Sequence, residues 1–167
     1  MRQRTKIRQQ GFTTLVTSAE LAEIVGVDFD TINNWIRRGV IARALIGGRQ
    51  LRSRLFSTKE VYKAAFTSEL VNLGIPPSLA SEAVDTVWEE WKGTDAPNGW
   101  KLYAVVLPTK GKWTAALCSQ RISGGPLHQG AGSARVQMEL PKHAFAVIPI
   151  SDIFEYVSRK MSGLLGG

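Results

Sequence analysis

Thr17–Ile41 reads TSAELAEIVGVDFDTINNWIRRGVI, and this stretch decides how the chain is expected to fold. It opens with a capping box, in which Thr17 takes the N-cap position of a helix and Glu20 the third helical position. Gly26 then supplies the left-handed residue on which a helix commonly ends. The stretch therefore predicts a first short helix, whose inner face consists of Leu21, Ile24 and Val25.

A second short helix is predicted from Phe29 to Arg38, with Asp28 as its N-cap and Gly39 as its stop. Its apolar residues recur at i, i+3 and i+4, the spacing of one buried helix face, and are Ile32, Trp35 and Ile36. Two short helices joined by a turn that contains glycine form a helix-turn-helix.

The opposite face of this second helix carries the residue types that read DNA bases. Asparagine pairs with the edge of adenine, and arginine pairs with the edge of guanine or with phosphate. Acidic residues are absent from the helix after Asp30. We therefore predict that this face contacts DNA through Thr31, Asn33, Asn34, Arg37 and Arg38.

A basic hairpin is predicted directly after the helix pair, over Ile46–Phe56, with its turn at Gly47-Gly48. A hairpin in this place is typical of a wing that grips phosphate or enters the minor groove. The predicted DNA contacts of the wing are Arg49, Gln50, Arg52 and Arg54.

The positive charge of the chain is concentrated at its N-terminal end. Residues 1–63 hold twelve lysines and arginines against five acidic residues, an excess that equals the net charge of +7 for all 167 residues. Such a basic block is expected for a protein that binds a polyanion. Residues 1–14 are predicted to be a mobile basic arm that adds sequence-independent DNA contacts from Arg2, Arg4 and Lys6.

These motifs together resemble the DNA-binding domain of the MerR superfamily over residues 15–91. The resemblance rests on the order and spacing of Val16–Ala22, Gly26-Val27, Thr31-Ile32, Arg37–Ile41, Arg54–Val61 and Leu70–Ile75. Asn34-Trp35-Ile36 is closer to the excisionase-like branch. The resemblance implies a winged helix with Asn33, Asn34, Arg37 and Arg38 near DNA and a wing that contacts DNA through Arg49, Arg52 and Arg54.

The chain departs from that family at two places. Asp30 stands where the family has a basic residue, and an acidic side chain would repel phosphate. After residue 91 the long dimerising coiled coil of the MerR regulators is replaced by a different domain. Sensing of metals or drugs by twisting of a promoter is therefore not expected.

The predicted fold class is α+β. The arm is followed by a winged helix-turn-helix domain at 15–91, with four helices and the hairpin wing, and by a linker at 92–99. A small antiparallel β-sheet domain with a C-terminal helix is expected at 100–167, for dimerisation or for binding an effector. In the last domain, strands are expected at Trp100–Leu107 and Lys112–Ile122, and Arg135–Leu140 is expected to pair with Ala144–Ile150. A final helix, capped by Ser151 or Asp152, is expected to cover one face of the sheet.

Catalysis is not indicated by the sequence. His128 and His143 fall in predicted loops and form no metal-binding spacing with Cys118, the single cysteine. No serine lies in a nucleophile elbow, and the glycine-rich segment Ser123–Ser133 lacks the spacing of a phosphate loop. We expect a protein that is not an enzyme and has no cofactor or metal. A signal peptide and a membrane helix are not predicted, and a reduced, buried Cys118 suits the cytoplasm.

The function that these expectations favour is sequence-specific binding to double-stranded DNA by a transcriptional regulator, linked to a phage or a mobile element. A homodimer on an inverted repeat is expected, since one winged helix reads few base pairs. Two alternatives stay open: a DNA-architecture factor such as an excisionase or a DNA-packaging subunit, and an adaptor that uses the helix-turn-helix to bind protein. The sequence also leaves open whether residues 100–167 bind a small-molecule effector.

Overall fold

The structure is a computed structural model that describes residues 15–42, 55–91, 100–109, 112–121, 123, 127–129, 136–138 and 146–165. These residues form an α+β fold with five helices and two antiparallel sheets. In chain order the elements are β1 (Leu15–Thr17), α1 (Ser18–Val25), α2 (Phe29–Arg37), β2 (Leu55–Ser57), α3 (Thr58–Asn72), α4 (Pro77–Trp91), β3 (Trp100–Thr109), β4 (Lys112–Arg121), β5 (Leu127–Gln129), β6 (Val136–Met138), β7 (Ala146–Pro149) and α5 (Ile150–Leu165). The α+β class predicted from the sequence is confirmed.

The described elements fall into two compact units, and the boundaries between them lie inside helices. The first unit contains β1, α1, α2 and β2, together with α3 up to Ala65 and α5 from Val157 onward. The second contains the elements between Phe66 and Tyr156. α4 belongs to the same unit as the five-stranded sheet and packs against β4.

The first unit is organised by a pair of three-residue strands, whose pairing with each other is not predicted from the sequence. β1 and β2 pair antiparallel, with Val16 opposite Phe56 at the centre. The chain around them nearly repeats, since LVTSAE at 15–20 corresponds to LFSTKE at 55–60. Each copy leads from a strand directly into a helix, and Phe56 is fully buried. The two helices α1 and α3 therefore begin from the same small sheet.

The predicted capping box of α1 is confirmed. Glu20 N donates to Thr17 Oγ1 at 3.3 Å, and Thr17 N donates to Glu20 Oε2 at 2.7 Å. A related arrangement precedes α3, where Ser57 N donates to Glu60 Oε2 at 2.9 Å. The side chain at each junction thus satisfies backbone N–H groups that the helix itself leaves without partners.

Thr17→Ala should lower the free energy of unfolding by about 1 kcal/mol, because the Glu20 N–H loses its acceptor. Thr17→Ser keeps a hydroxyl oxygen at the same place and is expected to stay close to the wild type. Urea unfolding of the three proteins, followed by circular dichroism, measures the difference. Equal stability of the alanine and wild-type proteins would contradict the capping role.

The second unit contains a five-stranded antiparallel sheet in the order β6-β5-β4-β3-β7. The predicted pairing of Arg135–Leu140 with Ala144–Ile150 is wrong, because β7 pairs with β3 and β6 pairs with β5. β5, which pairs with β6, is not predicted from the sequence. β7 instead places Val147 opposite Val105 and Ile148 opposite Ala104, so its apolar residues extend the apolar centre of the sheet.

One face of this sheet carries the core of the second unit, against α4 and the C-terminal half of α3. Alternate residues of β3, β4 and β7 share this face and are buried: Leu102, Ala104, Val106, Ala115, Leu117 and Ile148. A small cavity beside them is lined by apolar side chains alone, from Phe66, Leu70, Ala83, Val84, Val87, Ala104, Val106, Ala115 and Ile148. Cys118 is fully buried, as predicted.

Trp91 lies at the centre of an aromatic cluster in the same unit. Its ring centroid is 4.8 Å from that of Trp88 and 4.1 Å from that of Phe154, which in turn lies 5.7 Å from Phe66. Trp88 and Trp91 are half-buried, so they pack as part of the fold in the way that their helical spacing predicts.

The start of α5 is attached to β3 by side chains. Ser151 does not take the predicted capping role, since the helix begins one residue earlier and Ser151 Oγ accepts a 2.9 Å hydrogen bond from Leu102 N. The hydrogen bond that Lys101 Nζ donates to Asp152 Oδ1, 2.8 Å long, raises the pKa of this lysine. Both charged side chains are open to solvent, so the ion pair contributes little to stability.

Candidate functional site

α2 is held in the first unit by one apolar face. Ile32 is fully buried, and Trp35 and Ile36 keep only 5% and 6% of their surface exposed. The three residues are those that the i, i+3, i+4 spacing predicts. Because this face fills the core, the remaining face of α2 is fixed in orientation toward solvent.

The ends of α2 are built differently. At its C-terminal end, Val40 N donates to Trp35 O at 2.9 Å and Gly39 N donates to Ile36 O at 3.2 Å, which is the Schellman arrangement. Gly39 has φ +73°, a conformation that glycine adopts without strain. At the other end, Asp28 occupies the N-cap position without the side-chain hydrogen bond that the sequence analysis expected of it. Its carboxylate is exposed to solvent.

The exposed side of α2 brings together the five residues predicted to read DNA. Arg37 and Arg38 are exposed, and Thr31, Asn33 and Asn34 are half-buried. The Arg37 guanidinium donates a hydrogen bond from Nη2 to Asn34 Oδ1. This contact links the two side chains best suited to pair with base edges, one turn apart on the same helix.

The hydrogen bond between Arg37 and Asn34 leaves most of their bonding capacity available. A guanidinium has five N–H donors and an amide has two donors and one acceptor oxygen, so a single shared bond occupies a small part of the set. Around them, the positive charge of Arg37 and Arg38 lies toward the C-terminal end of α2, and Asp28 and Asp30 lie at the N-terminal end. The surface can therefore donate hydrogen bonds from the arginines at the C-terminal end of α2 and accept them at the aspartates of its N-terminal end.

The other predicted contact residues lie outside the described residues. These are the arm residues Arg2, Arg4 and Lys6 and the wing residues Arg49, Gln50, Arg52 and Arg54. Of the predicted hairpin at 46–56, the structure describes Leu55 and Phe56, which belong to β2 and pair with β1. The wing and its basic side chains stay a prediction.

Phe29 is a feature of this surface that the sequence analysis did not include among the contact residues. It is the first residue of α2 and keeps 50% of its surface exposed. The spacing in the sequence does not indicate this exposure, because Phe29 precedes Ile32 by three residues and Ile36 by seven, as a residue of the buried stripe would.

Within the described part of the chain, no group of three or more histidine, cysteine, aspartate or glutamate residues could hold a metal ion. None of the helices among those residues is long and apolar enough to span a membrane.

Comparison of the chain with known proteins gives no family to which it can be assigned. No model of a known protein family matches it, and no curated protein matches it.

Proposed function

We propose that this protein is a sequence-specific, double-stranded DNA-binding transcriptional regulator that inserts α2 into the major groove. In this proposal α1 and α2 form the helix-turn-helix of a MerR-like winged domain. The observation that carries it is the division of α2 into a buried face, with Ile32, Trp35 and Ile36, and an opposite face on which Arg37 and Arg38 are exposed and Asn34 is half-buried.

The dimensions and chemistry of α2 suit the major groove. The groove is about 12 Å wide and admits an α-helix, and each base pair presents there a distinct pattern of donors and acceptors. Asn34 can form two hydrogen bonds with adenine, and Arg37 can form two with guanine. A helix-turn-helix presents the N-terminal part of its second helix to the base edges. The proposal therefore places Thr31, Asn33 and Asn34 near bases and Arg38 nearer the phosphates.

The basic side chains elsewhere in residues 1–63 support binding to the sugar-phosphate backbone. We assign Arg49, Gln50, Arg52 and Arg54 to a wing that holds the neighbouring groove, and Arg2, Arg4 and Lys6 to an arm that contacts phosphate. Changes in the arm should weaken binding to all DNA alike, since phosphate contacts carry no sequence information.

A homodimer on an inverted repeat completes the proposal, because one recognition helix covers few base pairs. The protein would act in the cytoplasm as a binding protein, without catalysis and without a cofactor. Among the described residues, the cavity of the second unit is lined by apolar side chains alone.

Selection of sites from a random duplex library with the full chain should enrich one sequence motif. Binding to that site, measured by fluorescence anisotropy, should fall steeply with salt because protein cations displace counterions from the phosphates. Neutralising four phosphates weakens binding about 100-fold between 50 and 200 mM salt. A random duplex of the same length is the control, and it should bind more weakly at every salt concentration.

Two results would contradict the regulator. Failure to enrich any sequence, or binding of a partner that does not change with salt, would favour an adaptor that contacts protein. Genomic sites that occur in tandem at an attachment locus, and not over promoters, would favour an architectural factor over a regulator.

A further inference from the structure

A large apolar side chain is exposed at the end of α2 that the proposed function directs into the groove. Four large apolar residues of the described chain are exposed: Phe29, Leu73, Val147 and Tyr156. Among them Phe29 alone belongs to the first unit, the unit that contains α2. Phe29 thus places an exposed aromatic ring on a surface that otherwise consists of asparagine, arginine and aspartate.

Phe29 lies on the same side of α2 as two of the polar contact residues. Asn33 follows Phe29 by four residues and Arg37 follows it by eight, so the three form one row along the helix. This row runs beside the buried row of Ile32 and Ile36. Half of the Phe29 surface is covered and half is open to solvent, which holds the ring at the edge of the exposed face.

The surroundings of Phe29 favour a small apolar partner. Asp28 and Asp30 on either side of it are exposed and would repel a phosphate. A stable protein interface needs about 800 Å² from each partner, far more than one aromatic side chain among charged neighbours provides. Within the major groove the apolar group of suitable size is the C5-methyl of thymine, which side chains such as phenylalanine contact.

We propose that Phe29 reads thymine by packing against its C5-methyl group, and that it is a specificity-determining residue of α2. This inference rests on the proposed function. It adds an apolar contact at the start of α2 to the hydrogen bonds of Asn34 and Arg37 farther along. The selected DNA site should accordingly contain a thymine to one side of the bases that those two residues read.

The experiment removes the methyl group and the ring separately. In the selected site each thymine is replaced in turn by deoxyuridine, which lacks only the methyl. For the wild-type chain, one replacement should weaken binding about fourfold, the effect of one buried methyl group. Phe29→Ala should weaken binding to the thymine site by at least the same factor and should not distinguish thymine from uracil there. Phe29→Leu keeps an apolar side chain and should retain part of the discrimination.

Leu73→Ala is the matched control, because Leu73 is also 50% exposed but lies in the second unit. This variant should keep both the wild-type affinity and the wild-type ratio between thymine and uracil. Circular dichroism of Phe29→Ala and Phe29→Leu checks that both are folded. The replacement of thymine by deoxyuridine is measured with the wild-type chain, so that result does not depend on the folding of any variant.

Three results would overturn the inference. One is a wild-type chain that is insensitive to every thymine methyl. Another is a Phe29→Ala protein with the wild-type ratio between thymine and uracil. The third is a loss of self-association in Phe29→Ala, seen by sedimentation, which would assign Phe29 to a contact between two copies of the chain. Failure of the proposed function is recognised separately, because then the wild-type chain selects no site at all.

Discussion

Arg37→Ala should weaken binding to the selected DNA site by about 1–3 kcal/mol, which corresponds to roughly 5- to 150-fold in Kd. Arg37 is exposed on α2, and its guanidinium is oriented by the hydrogen bond that it donates to Asn34, one turn earlier in the helix. An arginine in this orientation can donate two hydrogen bonds to guanine, and alanine can donate none. The loss on a random duplex should be much smaller, because there Arg37 contacts at most a phosphate.

Asn34→Ala should give a loss of the same order, and the two changes should not be additive. The side chains share a hydrogen bond, so each substitution also alters the position of the other side chain. A double-mutant cycle measured by fluorescence anisotropy on the selected and random duplexes gives the coupling free energy. Arg159→Ala is the matched control, since Arg159 is an exposed cation of the same unit on α5. Equal losses on both duplexes would contradict base reading by this face.

Trp35→Ala should have the largest effect on stability. Trp35 is 5% exposed and lies on the face of α2 that fills the core of the first unit, and its carbonyl accepts the hydrogen bond from Val40 N. Removal of a buried tryptophan side chain costs about 3–5 kcal/mol, because the apolar contacts are lost and a cavity remains. DNA binding should be lost with it, because α2 no longer has a fixed orientation.

Two further substitutions test whether the loss of stability comes from the buried ring of Trp35. Trp35→Phe keeps an aromatic ring in the core and should retain more of the stability than alanine does. Arg38→Ala changes an exposed residue next to the same helix, and its free energy of unfolding should stay within about 0.5 kcal/mol of the wild type. Urea unfolding measures the free energy of unfolding of the three variants. A cost below about 1 kcal/mol for Trp35→Ala would show that this face of α2 is not packed as the structure has it.

The local features of the first unit could be predicted from the sequence. The capping box of Thr17 and Glu20, the glycine stop at Gly26 and the buried stripe of α2 each depend on residues close together in the chain. Local chemistry was therefore enough to predict the two helices. The exposure of Arg37 and Arg38 could also be predicted, because they lie outside the buried stripe of α2.

Features that depend on distant residues could not be predicted. Leu15–Thr17 is too short for a recognisable alternation, and its strand exists through pairing with residues some forty positions later. The sequence favours pairing of Ala144–Ile150 with the nearest preceding strand, whereas β7 pairs with β3, which begins over forty residues earlier. The hydroxyl of Ser151 has the chemistry of a helix cap, but β3 places the Leu102 N–H within its reach.

Contact between DNA and the Phe29–Gly39 surface of α2 is tested most directly by titration of the ¹⁵N-labelled chain with the selected duplex, followed through the backbone amide resonances. We expect the amides from Phe29 to Gly39 to shift and saturate with the duplex while those of α4 (Pro77–Trp91) stay in place. Unchanged α2 resonances, with shifts confined to α4 or the five-stranded sheet, would contradict it.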